Sequence, residues 1–192
     1  MSEMMRKTGK QSAWSLTAGV KMKLIGIDPG KTGVIAEIDT EEKICRWMPL
    51  PYREDTVLDT YALKTLFNLN EAHYIYVEKV HGMKIWGVAN NFAFGYYYGQ
   101  VRCFLEPWPY ELIGPKGWQA KINGCPRAGK AKEMSAASFR RMNPTHGPVS
   151  KKDEGMIDAF FIAYFAGLTN HIVMPKDFTF VRVDDFLHED PL

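Results

Sequence analysis

Short apolar runs separated by polar punctuation occupy most of the chain, and their period changes part-way along it. KLIGID at Lys23–Asp28 is a compact apolar run of the kind a buried strand uses. Pro29-Gly30 and Gly33 then mark a tight turn. Residues 32–38 (TGVIAEI) read as a second strand, and 43–49 (KICRWMP) as a third, with Ile44, Arg46 and Met48 alternating against Cys45 and Trp47. Successive strands joined by short turns predict an antiparallel meander. Residues 56–67 put Val57, Tyr61, Leu63, Leu66 and Phe67 at helical spacing. After them come a short strand at 73–77 (HYIYV), a long aromatic helix at 90–106 and a strand beginning at Glu111–Ile113. A basic amphipathic helix over 130–142 stops before Asn143-Pro144, and 151–168 forms the last strong helix. An irregular strand is expected at 179–183.

This order, β-β-β-α-β-α-β-α-α, predicts an α/β fold: a mixed five-stranded sheet, its first three strands antiparallel, flanked by helices. A length of 192 residues fits one compact domain over 22–172, with an N-terminal extension (1–21) and a C-terminal tail (173–192). The 46% hydrophobic content is enough for a core without staples. The three cysteines, Cys45, Cys103 and Cys125, are odd in number and form no C-x-x-C pair. That argues against a disulfide framework or a zinc site and favours a reducing, cytoplasmic setting. No apolar run approaches the roughly 20 residues that span a bilayer, and residues 1–21 lack the apolar stretch of a secretory signal.

The net charge of +2 conceals a local asymmetry. From 116 to 152 the charged side chains are Lys116, Lys121, Arg127, Lys130, Lys132, Arg140, Arg141, Lys151 and Lys152, against the single acid Glu133. Such a segment suits a phosphate backbone, although a solvated basic face has the same composition. Trp118 lies between Lys116 and Lys121, where an indole meets a base or sugar or simply packs in the core.

The acids carry the chemistry. Asp28 closes the first apolar strand and Glu78 closes the fourth. If those strands are neighbours, both carboxylates reach one end of the sheet; a turn-capping aspartate and a solvent-facing strand end are the plainer readings. In KKDEGMIDAFFIAYF, Glu154 and Asp158 are four apart, so they lie about 40° apart on one helix face. Asp153 and Asp158 are about 140° apart. Like charges at i and i+4 repel, and Asp158 enters the apolar run 159–165, where an unpaired carboxylate is costly. A cation removes both penalties, and oxygen donors of this kind suit Mg²⁺ or Mn²⁺. A pair of such ions activates water and stabilises the leaving oxygen of a phosphodiester.

Three segments resemble the RuvC family of Holliday-junction resolvases. GIDPGKTG (26–33) resembles its first catalytic motif, VEKVHGM (77–83) its second and DEGMIDAFFIAY (153–164) its third. The third is similar above all to bacteriophage versions with an acid-Gly-x-x-acid-Ala pattern, and PKGWQAKI (115–122) also resembles phage members. The resemblance spans roughly 22–170. It implies an RNase H-like fold and a homodimer, joined through the helix at 90–106, that resolves four-way DNA junctions by paired, Mg²⁺-dependent nicks in the cytoplasm of a host. It assigns Asp28, Glu78, Glu154 and Asp158 as the metal-binding catalytic acids, with two ions per site. Two departures stand out. Cellular members place the third acid three residues before the fourth, where this chain has Gly155; Glu154 takes its place, with Asp153 a less favoured substitute. Their junction-stacking phenylalanine corresponds to His81, with Met83 and Trp86 nearby. Other readings are a nuclease of this fold acting on flapped DNA or an RNA–DNA hybrid, an actin-like nucleotide-binding protein, and a junction binder without catalysis.

Overall fold

Strand β1 (Lys23–Asp28) lies inside the sheet because it buries apolar side chains on both faces: Leu24 on one, Ile25 and Ile27 on the other. The computed structural model describes residues 21–54, 56–79, 82, 87–124 and 130–184. β2 (Val34–Asp39) and β3 (Ile44–Pro49) complete the expected antiparallel meander. A hairpin of β4 (Tyr52–Arg53) and β5 (Val57–Leu58) follows, then helix α1 (Thr60–Leu66). β6 (Tyr74–Glu78) runs parallel to β1. Helix α2 (Val88–Leu105) leads to β7 (Glu111–Ile113), then α3 (Pro115–Asn123), α4 (Ala131–Met142), α5 (Glu154–Thr169) and β8 (Thr179–Arg182).

The sheet has six strands in the order β7-β6-β1-β2-β3-β8. The sixth comes from the segment expected to be a tail: β8 pairs in parallel with β3, and Phe178 and Val183 beside it are buried. Strand alternation divides the core in two. Leu24, Ala36, Ile38 and Tyr76 face α3, α4 and α5. Ile25, Ile35, Ile75 and Val77 face α1 and α2.

Two elements depart from the expected pattern. The helix expected over 56–67 begins only at Thr60, because the Asp59 carboxylate caps it by accepting from the Tyr61 and Ala62 amides, both at 3.1 Å. The residues before it form β5, held from α2: Gln100 accepts from the Leu58 amide and donates to the Thr56 carbonyl, each at 2.8 Å. Helix α3 was not expected, yet Pro115 at its first turn is a recognisable start signal.

α5 is buried on nearly every side, as a helix apolar all round must be. Its small residues let it lie directly on the sheet. A Cβ on Gly26 would sit 2.2 Å from the Ala159 carbonyl oxygen and 2.3 Å from the Ala163 amide nitrogen. A Cβ on Gly155 would meet Val34 at 2.8 Å. No helix among the described residues is long and apolar enough to cross a membrane.

Backbone stands against backbone at Gly26, so an added methyl has no flexible neighbour to displace. Gly26→Ala is expected to destabilise the fold by about 2–3 kcal/mol, the upper part of the overpacking range. Urea unfolding should show a lower midpoint at an unchanged slope.

Candidate active site

Asp28 and Glu78 meet through the sheet's own geometry. β1 and β6 are parallel, and their register pairs Ile27 with Val77, so the next residue of each strand is the acid. Alternation puts Asp28 on the face of Leu24 and Gly26, and Glu78 on the face of Tyr76. That is the face covered by α5. The carboxyl ends of adjacent parallel strands therefore deliver two acids under one helix, as the sequence led us to expect.

The start of α5 supplies the others and separates Asp153 from Glu154. Asp153 is occupied in a capping box on the 3-10 turn before the helix: its Oδ2 accepts from the Ser150 amide at 2.7 Å and the Ser150 hydroxyl at 2.8 Å. Glu154, by contrast, lines a cleft together with Asp28 and Asp158. A Cβ on Gly155 would meet a Val34 methyl at 2.8 Å, so a side chain there requires the packing on β2 to shift. The carboxylate stands one residue earlier, at Glu154.

Burial and mutual repulsion set the charge states. Burial raises the Asp28 carboxyl well above the ordinary aspartate range, and the nearby charges of Glu78 and Asp158 add to the effect; Lys132 opposes it. Asp158 is pushed up to about 7, again by burial first and then by Glu78 and Glu154, with Lys132 opposing. Lys132, on α4, donates to Glu154 Oε2 at 2.5 Å, and that bond is the main reason its ammonium is held more firmly protonated.

The basic side chains expected to touch DNA divide into separate groups. Lys132, Lys151 and Lys152 reach the cleft that holds the acids. Lys116 and Lys121 are exposed on α3, and Lys130 is exposed just before α4. Arg127, His81, Met83 and Trp86 lie outside the described residues. Of the two readings open for Trp118, the structure supports the packed core and overturns the DNA contact: the residue is 0% exposed and cannot stack on a base. Its ring stacks on Phe161 of α5 (centroids 6.2 Å apart, planes at 28°), and its indole N–H donates to Glu78 Oε1 at 2.8 Å. This role was missed. The i, i+4 spacing of Trp118 and Ile122 after Pro115 was the available signal that the indole lies on the inner face of a helix.

No protein-family model matches the chain, and no curated protein matches it in sequence. Solved structures do resemble it. Thermus thermophilus RuvC in complex with a Holliday-junction substrate superposes with a TM-score of 0.55 at 18% identity, covering 80% of this chain and 99% of that one. A second T. thermophilus RuvC structure gives 0.53 at 21% identity, with the same coverage. The fold is RNase H-like.

In this RNase H-like frame, no group of three His, Cys, Asp or Glu side chains among the described residues is arranged to hold one metal ion as it stands. Glu154 is bonded to Lys132 and Glu78 accepts from Trp118. In kind and charge the donors nonetheless fit a hard divalent cation. They are oxygen-only, mutually repelling and partly buried, and Lys132 opposes the repulsion at both Asp28 and Asp158.

The raised aspartates make stability depend on pH. Asp158 is protonated in the folded protein up to about pH 7 but ionises near pH 4 in the unfolded chain. Between those values the folded state binds more protons, so stability falls as pH rises through the window. Asp28 acts in the same direction. In EDTA, melting temperature should therefore drop between pH 5 and 8, and Asp158→Asn should flatten the drop and raise the value at pH 8. An equal pH dependence in both proteins would show that Asp158 ionises normally.

Proposed function

We propose that the protein is a DNA endonuclease that resolves four-way junctions, hydrolysing a phosphodiester at the Asp28–Glu78–Glu154–Asp158 cluster with divalent metal ions. The observation that carries this reading is the convergence itself. Acids from β1, β6 and α5 repel one another at one end of an RNase H-like sheet, beside Lys132, Lys151 and Lys152. Repulsion of this kind is unfavourable for the fold alone and useful where cations and a phosphate are bound.

Asp28, Glu78, Glu154 and Asp158 would hold Mg²⁺, or Mn²⁺ in its place, as two ions per site. When bound, such ions activate water and neutralise charge on the leaving oxygen. The chain's own groups do the rest. The carboxylates orient the ions, and Trp118 fixes the Glu78 carboxylate through its N–H. Lys132 neutralises Glu154 until the site is loaded and then meets the phosphate, while Lys151 and Lys152 hold the strand at the helix start. Lys116, Lys121 and Lys130, all exposed, extend the basic surface toward the DNA.

Two nicks in opposed strands require two sites, and α2 offers a face for a second copy of the chain. Val88, Phe92 and Tyr96 are 88%, 76% and 45% exposed on its first turns, and a Cβ on Gly95 or Gly99 would meet nothing within 4 Å. Large apolar side chains beside bare backbone suit close helix packing in a homodimer. The likeness to a RuvC bound to a Holliday junction favours the four-way branch over flapped or hybrid substrates.

Asp28→Asn and Asp158→Asn should each reduce Mg²⁺-dependent nicking of a mobile four-way junction by about 10³-fold or more, while junction binding in Ca²⁺ persists. Wild-type nicking by either variant would remove the assigned roles. Trp118→Phe keeps an aromatic ring but shrinks it and deletes the donor, so the buried site is left with a cavity and the melting temperature should fall. In protein that is still folded, the Mg²⁺ concentration for half-maximal nicking should rise several-fold, as loss of a partner around a metal ligand does. An unchanged Mg²⁺ titration would make Trp118 a packing residue only.

A further inference from the structure

Two clefts meet at the acids. One, of about 360 Å³, lies between α4 and the start of α5 and has Arg140 and Ser150 in its wall. The other, of about 500 Å³, opens over β2, β3 and β8; Trp47 and Arg182 line it toward the β8 edge, and Lys31 and Lys152 are also in its wall. Lys132, Lys151, Glu154 and Asp158 belong to both, so Glu154 and Asp158 sit where the two join, with Asp28 in the larger cleft.

The side of the larger cleft toward β8 is built with the sheet's sixth strand. Trp47 of β3 and Arg182 of β8 are register partners. The Arg182 guanidinium lies over the Trp47 ring, 5.5 Å from its centre. Two bonds to the Asp184 carboxylate, at 2.7 and 2.6 Å, fix its orientation. The other side of the indole packs on the core. The Arg182 side chain is still 49% exposed. Asp184 offsets its charge, so Arg182 presents a flat, preoriented surface more than a point cation. Lys31 and Lys152, both exposed, bring positive charge to the same walls. A planar cation on an indole, flanked by lysines, is the arrangement that receives a nucleobase and its phosphate.

We propose that this end of the groove is a nucleotide subsite. The base of a nucleotide next to the cut phosphate stacks on the Arg182–Trp47 pair, and Lys31 and Lys152 meet its phosphate. The proposal rests on the nuclease reading of the acids. It makes β8 part of the substrate-binding surface, beyond its place as an edge strand.

The test is binding of a fluorescent four-way junction in Ca²⁺, with an abasic sugar walked one position at a time through the strand near the branch. In the parent, one abasic position should weaken binding about tenfold, as loss of a stacked base does. Arg182→Gln should weaken binding to the intact junction by a similar factor and abolish the penalty at that position. Lys152→Gln should lower the salt dependence of binding by about one counterion. Lys64→Gln, on α1 and outside both clefts, should change neither. Circular dichroism melts would verify that β8 stays in place in Arg182→Gln; if it does not, the abasic walk in the parent still decides. An unpenalised walk, or an abasic penalty that survives in folded Arg182→Gln, overturns the subsite while the nuclease reading stands. Binding with the predicted penalties but no nicking in Mg²⁺ would sink the nuclease reading and keep the subsite. No binding to branched DNA overturns both.

Discussion

The close approach of α5 to β1 is the constraint on which the rest of the architecture depends. A helix normally rides on a sheet through layers of side chains. Here Gly26, Ala159 and Ala163 remove those layers, and backbone lies against backbone. The helix therefore comes down onto the end of β1, and Asp158, adjacent to Ala159, is brought into the range where it repels Glu78 and is felt by Asp28. A second close approach, of Gly155 to the Val34 side chain of β2, leaves little space for a side chain at 155, next to Glu154.

The acids are held in a state of unresolved charge. The fold binds them through its strands and helix, where they cannot separate, and offers little internal compensation. Lys132 reaches Glu154, and the Trp118 indole reaches Glu78. Neither contact neutralises Asp28 or Asp158, whose carboxyls take up protons instead. Conflicts of this kind are commoner at functional sites than elsewhere in a fold.

Much of this was legible in the sequence because strong local patterns and tertiary structure agree. β1, β3 and β7 have the bounds, or nearly the bounds, that their apolar runs suggest, and α4 and α5 begin and end close to their signals. The convergence of Asp28 and Glu78 followed from two strands each ending in an acid, once those strands were taken as neighbours. What was not legible depends on distant partners. The β4–β5 hairpin is held by Gln100, more than 40 residues away, with bonds that no local pattern encodes. α3 holds Gly117 near its start, which weakens its helical signal. The burial of Trp118 depends on Phe161, and its polar contact on Glu78. An indole between lysines fits a surface contact or a packed core until the helix beneath it is known. The strand near 179–183 was expected, but its pairing with β3, which makes the sheet six-stranded, was not.

The topology also fixes when the site comes into being. Asp28 and Glu78 lie on strands that pair early along the chain, but the helix that completes their cluster begins at Glu154, and the strand that closes the β3 edge begins at Thr179. A growing chain therefore carries an unpaired β3 edge until Thr179 has been added. That edge is the place where premature association between chains would start.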